Sequence, residues 1–289
     1  MRLLQGRTKR FRLLLAAVIT IIVLAIVIPI AVVFGRKHTM PPKSNVLVPL
    51  YVYPAPGAWD PLYKVIETYP HVKFIVVVNP NSGPGSTAVP DANYTSAIPK
   101  LTSHSNVRLL GYVATTYAQR NFSAVLEDVR TYAEWSNQTS YPGLSVSGIF
   151  FDEAPSVFNE SHFQYLSRLK SAVKSYSGLG PDNLVILNPG TIPATQYLSL
   201  ADSTVVFEER YSTYRARNSY KELRAVHEGR SRKTILMHSV PDSLTLKEDR
   251  DLVHDMRRVG ANLFLTHLAS DYYARFDPKW SEFIRYMSE

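Results

Sequence analysis

Residues 148–153 read Gly148-Ile149-Phe150-Phe151-Asp152-Glu153, and residues 203–209 read Ser203-Thr204-Val205-Val206-Phe207-Glu208-Glu209. Each is a short run of apolar, largely β-branched or aromatic residues that stops on two carboxylates. A run without polar alternation describes a strand covered on both faces, the condition of a parallel sheet flanked by helices. Runs of the same kind recur at 46–54, 72–80, 107–115, 184–190, 234–240 and 262–268, which makes eight predicted strands.

Helical signals fill the intervals. Phe163, Leu166, Leu169, Val173 and Tyr176 recur every three to four residues and make one apolar stripe. Phe122, Val125, Val129, Tyr132 and Ala133 do the same behind Asn121, a residue type suited to an N-cap. The segment 246–259 stops at Gly260, a natural helix terminator. Eight strands alternating with helices over 46–289 predict an α/β fold of the (β/α)8, or TIM, barrel type. The competing architecture, a doubly wound open sheet, would place a glycine-rich nucleotide turn after the first strand, and none stands there. The Gly/Pro/Ser/Asn-rich stretch 79–93 lacks the Gly-Lys-[Ser/Thr] ending of a phosphate loop and reads as a loop after the second strand.

Charge separates the chain into two parts. Residues 1–45 hold eight Lys/Arg and no Asp or Glu, which leaves 24 Lys/Arg against 24 Asp/Glu in the remainder. The basic pI near 9.5 therefore belongs to the leader, and a nucleic-acid-binding face is excluded as its cause. Residues 13–34 are apolar apart from Thr20 and Pro29, about the length that spans a bilayer and longer than the core of a cleaved signal peptide. The expected layout is a cytoplasmic basic tail at 1–12, a transmembrane signal anchor at 13–34, a juxtamembrane linker at 35–45 and the barrel at 46–289. Five basic residues before the span favour a type II orientation, with the barrel extracellular or lumenal. Four Asn-x-[Ser/Thr] triplets, at Asn93, Asn121, Asn137 and Asn159, are compatible with a glycoprotein.

In a barrel of this kind the residues at the carboxyl ends of the strands surround the active site. Those ends carry Tyr53, Asn79, Thr115, Asp152 with Glu153, Asn188, Glu208 with Glu209, His238 and His267. Any one of them is equally a solvated or capping residue; eight strands contributing together is the stronger signal. Two pairs of carboxylates at the ends of apolar strands fit glycosidic cleavage. That reaction needs one protonated carboxyl to assist the leaving oxygen and one ionised carboxyl to attack or to activate water. Side chains alternate along a strand, so Asp152 and Glu153 do not both face one substrate atom. Tyr51, Tyr53, Trp59, Tyr112, Tyr117, Tyr211 and Tyr214 lie near predicted loops, where they either stack on sugars or pack. Cysteine is absent, which removes thiol catalysis and Cys-ligated zinc; the eight His form no H-E-x-x-H, and Gly143–Gly148 does not match G-x-S-x-G. No cofactor is expected.

These residues resemble the spherulation-specific family 4 (spherulin-4-like) proteins. The resemblance rests on Val48-Pro-Leu-Tyr-Val-Tyr-Pro54, Val76-Val-Val-Asn-Pro80 with Gly83-Pro-Gly85, and Pro90-Asp-Ala-Asn-Tyr94. It continues through Leu110-Gly-Tyr-Val-Ala-Thr-Thr-Tyr117 with Arg120, Gly148–Glu153 and Val205-Val-Phe-Glu208. It implies a (β/α)8 glycoside hydrolase, often membrane-anchored, typified by fungal enzymes that cut galactosaminogalactan at α-1,4-linked N-acetylgalactosamine. It implies essential acids at Asp152, Glu153 and Glu208, with Glu209 one residue away from exchanging places with Glu208. The resulting expectation is an endo-acting glycosidase on an extracellular amino-sugar polysaccharide. Glu208 is assigned as proton donor, Asp152 as nucleophile or electrostatic stabiliser, and Glu153 as the residue that orients one of them. The substrate-binding candidates are Tyr51, Tyr53, Asn79, Tyr112, Tyr117, Arg120, Asn188, His238 and His267. The alternative is a catalytically silent, carbohydrate-binding barrel at the cell surface.

Overall fold

Strand β1 (Asn45–Leu50) is buried from its second residue on, because five residues without a polar side chain leave no face that prefers water. Seven more strands follow: β2 (Phe74–Val78), β3 (Val107–Ala114), β4 (Gly148–Asp152), β5 (Leu184–Leu187), β6 (Ser203–Arg210), β7 (Lys233–His238) and β8 (Asn262–Leu265). In the computed structural model, which describes residues 40–216 and 219–289, the strands pair in parallel in chain order and β8 closes on β1. The eight-stranded (β/α)8 barrel expected from the apolar runs is the observed fold. Most strands stop earlier than their apolar runs, since the following residues leave the ladder to build the mouth.

The described helices are α1 (Asp60–Thr68), α2 (Ala92–Thr102), α3 (Phe122–Glu134), α4 (Glu160–Ser175), α5 (Thr195–Leu198), α6 (Tyr211–Ala216), α7 (Ser219–Ala225), α8 (Leu246–Val259) and α9 (Trp280–Ser288). Asp91, Asn121, Asn159 and Thr245 cap α2, α3, α4 and α8 by accepting backbone N–H bonds at their first turns. The expected transmembrane anchor at 13–34 and the tail at 1–12 lie outside the described residues. Among the described residues no helix is long and apolar enough to cross a membrane. The expected linker at 35–45 gives its last residues to the barrel: wholly buried Arg257 donates to the carbonyls of Pro41, Pro42 and Tyr286, and Arg230 to that of Lys43 and to the Ser44 hydroxyl.

Register decides which residues face inward. At the bottom of the barrel Asn45, Ser203, Thr234 and Asn262 bond to one another through their side chains, so these positions point into the lumen. Alternation then carries Leu236 and Phe264 inward, and with them Phe150 and Asp152 on β4. Strand β6 departs from simple alternation. Val205 pairs with Thr234 and Phe207 with Ile235, so Val206 is an extra, bulged residue. Counting from Ser203 would turn Glu209 inward; the bulge shifts the phase by one, so half-buried Glu208 faces the lumen and Glu209 is exposed.

The barrel is closed tightly between β4 and β5. A Cβ on Gly148 would sit 2.5 Å from the Leu184 nitrogen and closer still to its carbonyl oxygen. Gly148→Ala therefore has to part β4 from β5. It is expected to lower the free energy of unfolding by about 2–3 kcal/mol, whereas Gly229→Ala, whose Cβ would meet only the Ser231 hydroxyl at 3.6 Å, should change it by less than about 0.5 kcal/mol. Urea unfolding of both variants checks the contrast.

Candidate active site

Strands β4, β5 and β6 end side by side, and each delivers one polar side chain to the mouth of the barrel. Asp152 closes β4, Asn188 follows β5 and Glu208 lies past the bulge of β6. The buried Asn188 amide nitrogen donates to Asp152 Oδ1 at 2.8 Å and to Glu208 Oε2 at 2.6 Å. The two carboxylate oxygens are therefore separated by no more than about 5.4 Å, the two bonds laid end to end. The second Glu208 oxygen, Oε1, accepts the Tyr273 hydroxyl at 2.6 Å. Asp152 also accepts the Tyr112 hydroxyl and the backbone N–H of Glu153.

Burial raises both carboxyl groups above their ordinary range, and the donors oppose it. For Asp152 those donors are the Glu153 N–H, Tyr112 and Asn188. For Glu208 they are Tyr273 and Asn188, while the neighbouring Asp152 charge adds to the rise. The tyrosines are held as phenols: burial, and then the nearby carboxylates, push Tyr51, Tyr112 and Tyr273 well upward. Tyr51 meets Tyr112 and Tyr273 edge to face, both at 5.5 Å between ring centres, and so links the two hydroxyls that hold the acids.

Glu153 acts on Asp152 differently from the expectation. It adopts a left-handed backbone, φ 52°, just past the strand, and its N–H favours the ionised Asp152 carboxyl. Its carbonyl accepts the Thr115 hydroxyl at 2.9 Å and the Tyr117 N–H at 2.6 Å. The orienting role falls to its backbone; its half-buried carboxylate has no hydrogen-bond partner among the described residues.

The other candidates divide between rim and framework. Tyr53 and Tyr117 stand at the rim with 50% and 55% of their surfaces exposed. The Tyr53 ring is held upright by its hydroxyl, which donates to Asp91 at 3.2 Å and accepts from Asn93 at 2.8 Å. Tyr117 is the middle of three consecutive left-handed residues, 116–118, that lift it away from β3. His238 faces the mouth, lies flat on Tyr272 at 4.3 Å between ring centres, and bonds through Nδ1 to the Ser239 hydroxyl.

Three of the candidates have partners in the framework of the barrel. Asn79 uses its side-chain oxygen to fold its own loop, accepting Gly83 N–H at 3.0 Å. Arg120 is paired to Asp128 at 2.6 Å and braces the Ala114 carbonyl. His267 sits one position off the inward phase of β8 and turns toward α8 and α9, where Asp277 and Asp249 hold its two nitrogens at 3.2 and 3.3 Å. Polarity at a strand end does not reveal which side of the barrel the residue takes. Tyr272 and Tyr273 went unsignalled because they follow β8 by several residues; the adjacent pair in Asp271-Tyr-Tyr273 was the available cue. Among the described residues no group of His, Cys, Asp and Glu is placed to hold a metal.

The model of spherulation-specific family 4 matches residues 45–287. The chain belongs to this family. It is 41% identical over 176 residues to Spherulin-4 of Physarum polycephalum, an alignment covering 61% of this chain and 47% of that protein, so the chain spans about half the length of that curated relative. It is 53% identical to Sph3 of Aspergillus clavatus, whose crystal structure holds GalNAc; the superposition covers 87% of this chain and 100% of that one with a TM-score of 0.85. The family resemblance and the bulge agree in choosing Glu208 over Glu209.

The His267 cluster makes a pH prediction of its own. Burial would raise Asp277, but bonds from His267, from the Lys279 and His267 N–H groups and from Thr266 bring it well below the usual carboxylate range. Its stabilisation is present above the unfolded value near about 3.9 and is lost as pH falls through the lower folded value. Burial lowers His267, yet Asp277 and Asp249 outweigh it and leave the imidazole raised, so its stabilisation is full below about 6.5 and fades as pH rises through the folded value. Thermal unfolding from pH 3 to 9 is expected to show greatest stability between about pH 4 and 6.5. Asp277→Asn should cost about 3 kcal/mol in that window and flatten the curve.

Proposed function

We propose that the protein is a glycoside hydrolase acting within an extracellular polymer of α-1,4-linked N-acetylgalactosamine. The observation that carries this reading is that one buried amide at the barrel mouth bonds both Asp152 (2.8 Å) and Glu208 (2.6 Å), which keeps the two bonded carboxylate oxygens within about 5.4 Å of each other. That spacing suits retaining hydrolysis, where one carboxylate bonds to the sugar, better than the wider gap that leaves room for a water. The GalNAc held by Sph3 of Aspergillus clavatus supports the choice of sugar. The exposed rings of Tyr53 and Tyr117, on separate loops at the rim, support a substrate longer than one residue.

Asp152 receives three donors that favour its ionised form and is the nucleophile. Glu208 receives two and stands beside the Asp152 charge, so it is the group that carries the proton. In the first step Asp152 attacks the anomeric carbon while the bond to the leaving oxygen breaks; the electron pair stays on that oxygen, which takes the proton of Glu208. Water then gives a proton to Glu208 and its oxygen to the anomeric carbon, and Asp152 is released. In an α-linked 2-acetamido sugar the leaving oxygen and the acetamido group lie on the same side, so the acetamido group has no line of attack and the nucleophile comes from the enzyme or from water. The type II, extracytoplasmic placement read from the sequence is part of the proposal, since the polymer lies outside the cell.

Purified protein is expected to release reducing ends from α-1,4-linked N-acetylgalactosamine oligomers, and Asp152→Asn and Glu208→Gln to lower kcat by at least about 10³-fold. Undiminished turnover in both variants would reject the assignment. Sugar binding without cleavage by the unmodified protein would favour the silent carbohydrate-binding barrel instead.

A further inference from the structure

We propose that Asn188 is a positioning residue, a single buried amide that sets both the spacing and the charge state of the catalytic acids, and that it is no ligand of the sugar. The proposal rests on the glycosidase reading above. The orientation of the amide is fixed by its other end: Oδ1 accepts the Gly190 N–H at 2.9 Å, so Nδ2 is the end that faces the acids. A primary amide has two hydrogens, and here one goes to Asp152 and the other to Glu208, which leaves none for a substrate hydroxyl or acetamido group.

The backbone around Asn188 ties it to the strands that carry both acids. Its N–H donates to Phe151 and its carbonyl accepts from Ala154, on either side of Asp152 and Glu153. Gly190, in a left-handed conformation at φ 69°, accepts the Glu208 N–H at 2.9 Å and lies against the Glu208 side chain. A shift of Asn188 thus moves both acids, and a shift of either acid strains Asn188.

A consequence for the proton follows. An amide N–H only donates, so neither Asp152 Oδ1 nor Glu208 Oε2 can hold a proton on the side that faces Asn188. Glu208 carries its proton on Oε1, where the Tyr273 hydroxyl turns from donor to acceptor. One side chain thereby lowers the cost of ionising either acid while keeping the mobile proton away from the space between them.

Asn188→Ala and the isosteric Asn188→Asp, which keeps the acceptor for Gly190, test the proposal against the unmodified protein. The readouts are kcat and KM against pH, thermal unfolding, and the ¹³C NMR titration of the Asp and Glu carboxyl carbons without substrate. Removing the donor should raise both acids, so both limbs of the bell-shaped pH profile should move to higher pH by about one pH unit. In Asn188→Ala kcat should fall by about 100-fold with KM within about threefold; in Asn188→Asp, where a third carboxylate joins the pair, both effects should be larger. The carboxyl carbons of Asp152 and Glu208 should titrate higher in step. A rise in KM with kcat and both limbs unmoved would make Asn188 a sugar ligand and overturn the proposal. So would a lower melting temperature with unmoved carboxyl titrations, which marks a purely structural amide. If the unmodified protein turns over no glycoside, the glycosidase reading fails, and the substrate-free titrations still decide what Asn188 does to the two acids.

Discussion

A closed parallel sheet forces each strand to send alternate side chains into one lumen, and everything at the mouth of this barrel depends on that phase. Asp152 and Glu208 meet only because both are inward on strands two places apart with a third between them. On β4 the phase runs unbroken from Gly148 through Phe150 to Asp152. On β6 it is reset by the bulge at Val206, without which the exposed Glu209 would stand where Glu208 does. One extra residue in one strand therefore chooses which carboxyl faces the lumen.

Two carboxyls at the edge of an apolar lumen are costly to ionise, and the surrounding structure is organised around that cost. Among the described residues no Arg or Lys is bonded to either one; the compensating groups are neutral donors, the hydroxyls of Tyr112 and Tyr273, the Asn188 amide and the Glu153 N–H. Neutral donors stabilise an anion without fixing it as strongly as a full opposite charge would, which leaves a carboxyl beside them able to gain and lose a proton. The contrast is the Asp277–His267–Asp249 cluster on the outer side of β8, where an imidazole and two carboxylates pair directly and the arrangement serves stability.

The barrel was legible because each of its strands is built around a short apolar run and apolar stripes mark helices between them. The ends of the strands were less so: in β1 the apolar run continues past Leu50 into Tyr51 and Val52, which line the mouth and leave the ladder. Of the site, the three acids stood out because carboxylates at the ends of apolar strands are unusual. Composition could not tell inward from outward, so His267, Arg120 and Asn79 joined the candidates although their side chains also bond to the framework. Tyr272 and Tyr273 were missed because the loop that brings them back over Glu208 leaves no periodic signal. The bulge has none either, since Val205 and Val206 are the same residue.

The separation of the two carboxyls is the central quantity, and the stereochemistry of the first product reads it out. ¹H NMR of a defined α-1,4-linked N-acetylgalactosamine oligomer, recorded before mutarotation, gives the anomer released. The structure predicts the α anomer first, with retention through a covalent bond to Asp152. Release of the β anomer first would mean that a water stands between Asp152 and the sugar, and that the close pairing of the two acids through Asn188 is not the arrangement at which the reaction runs.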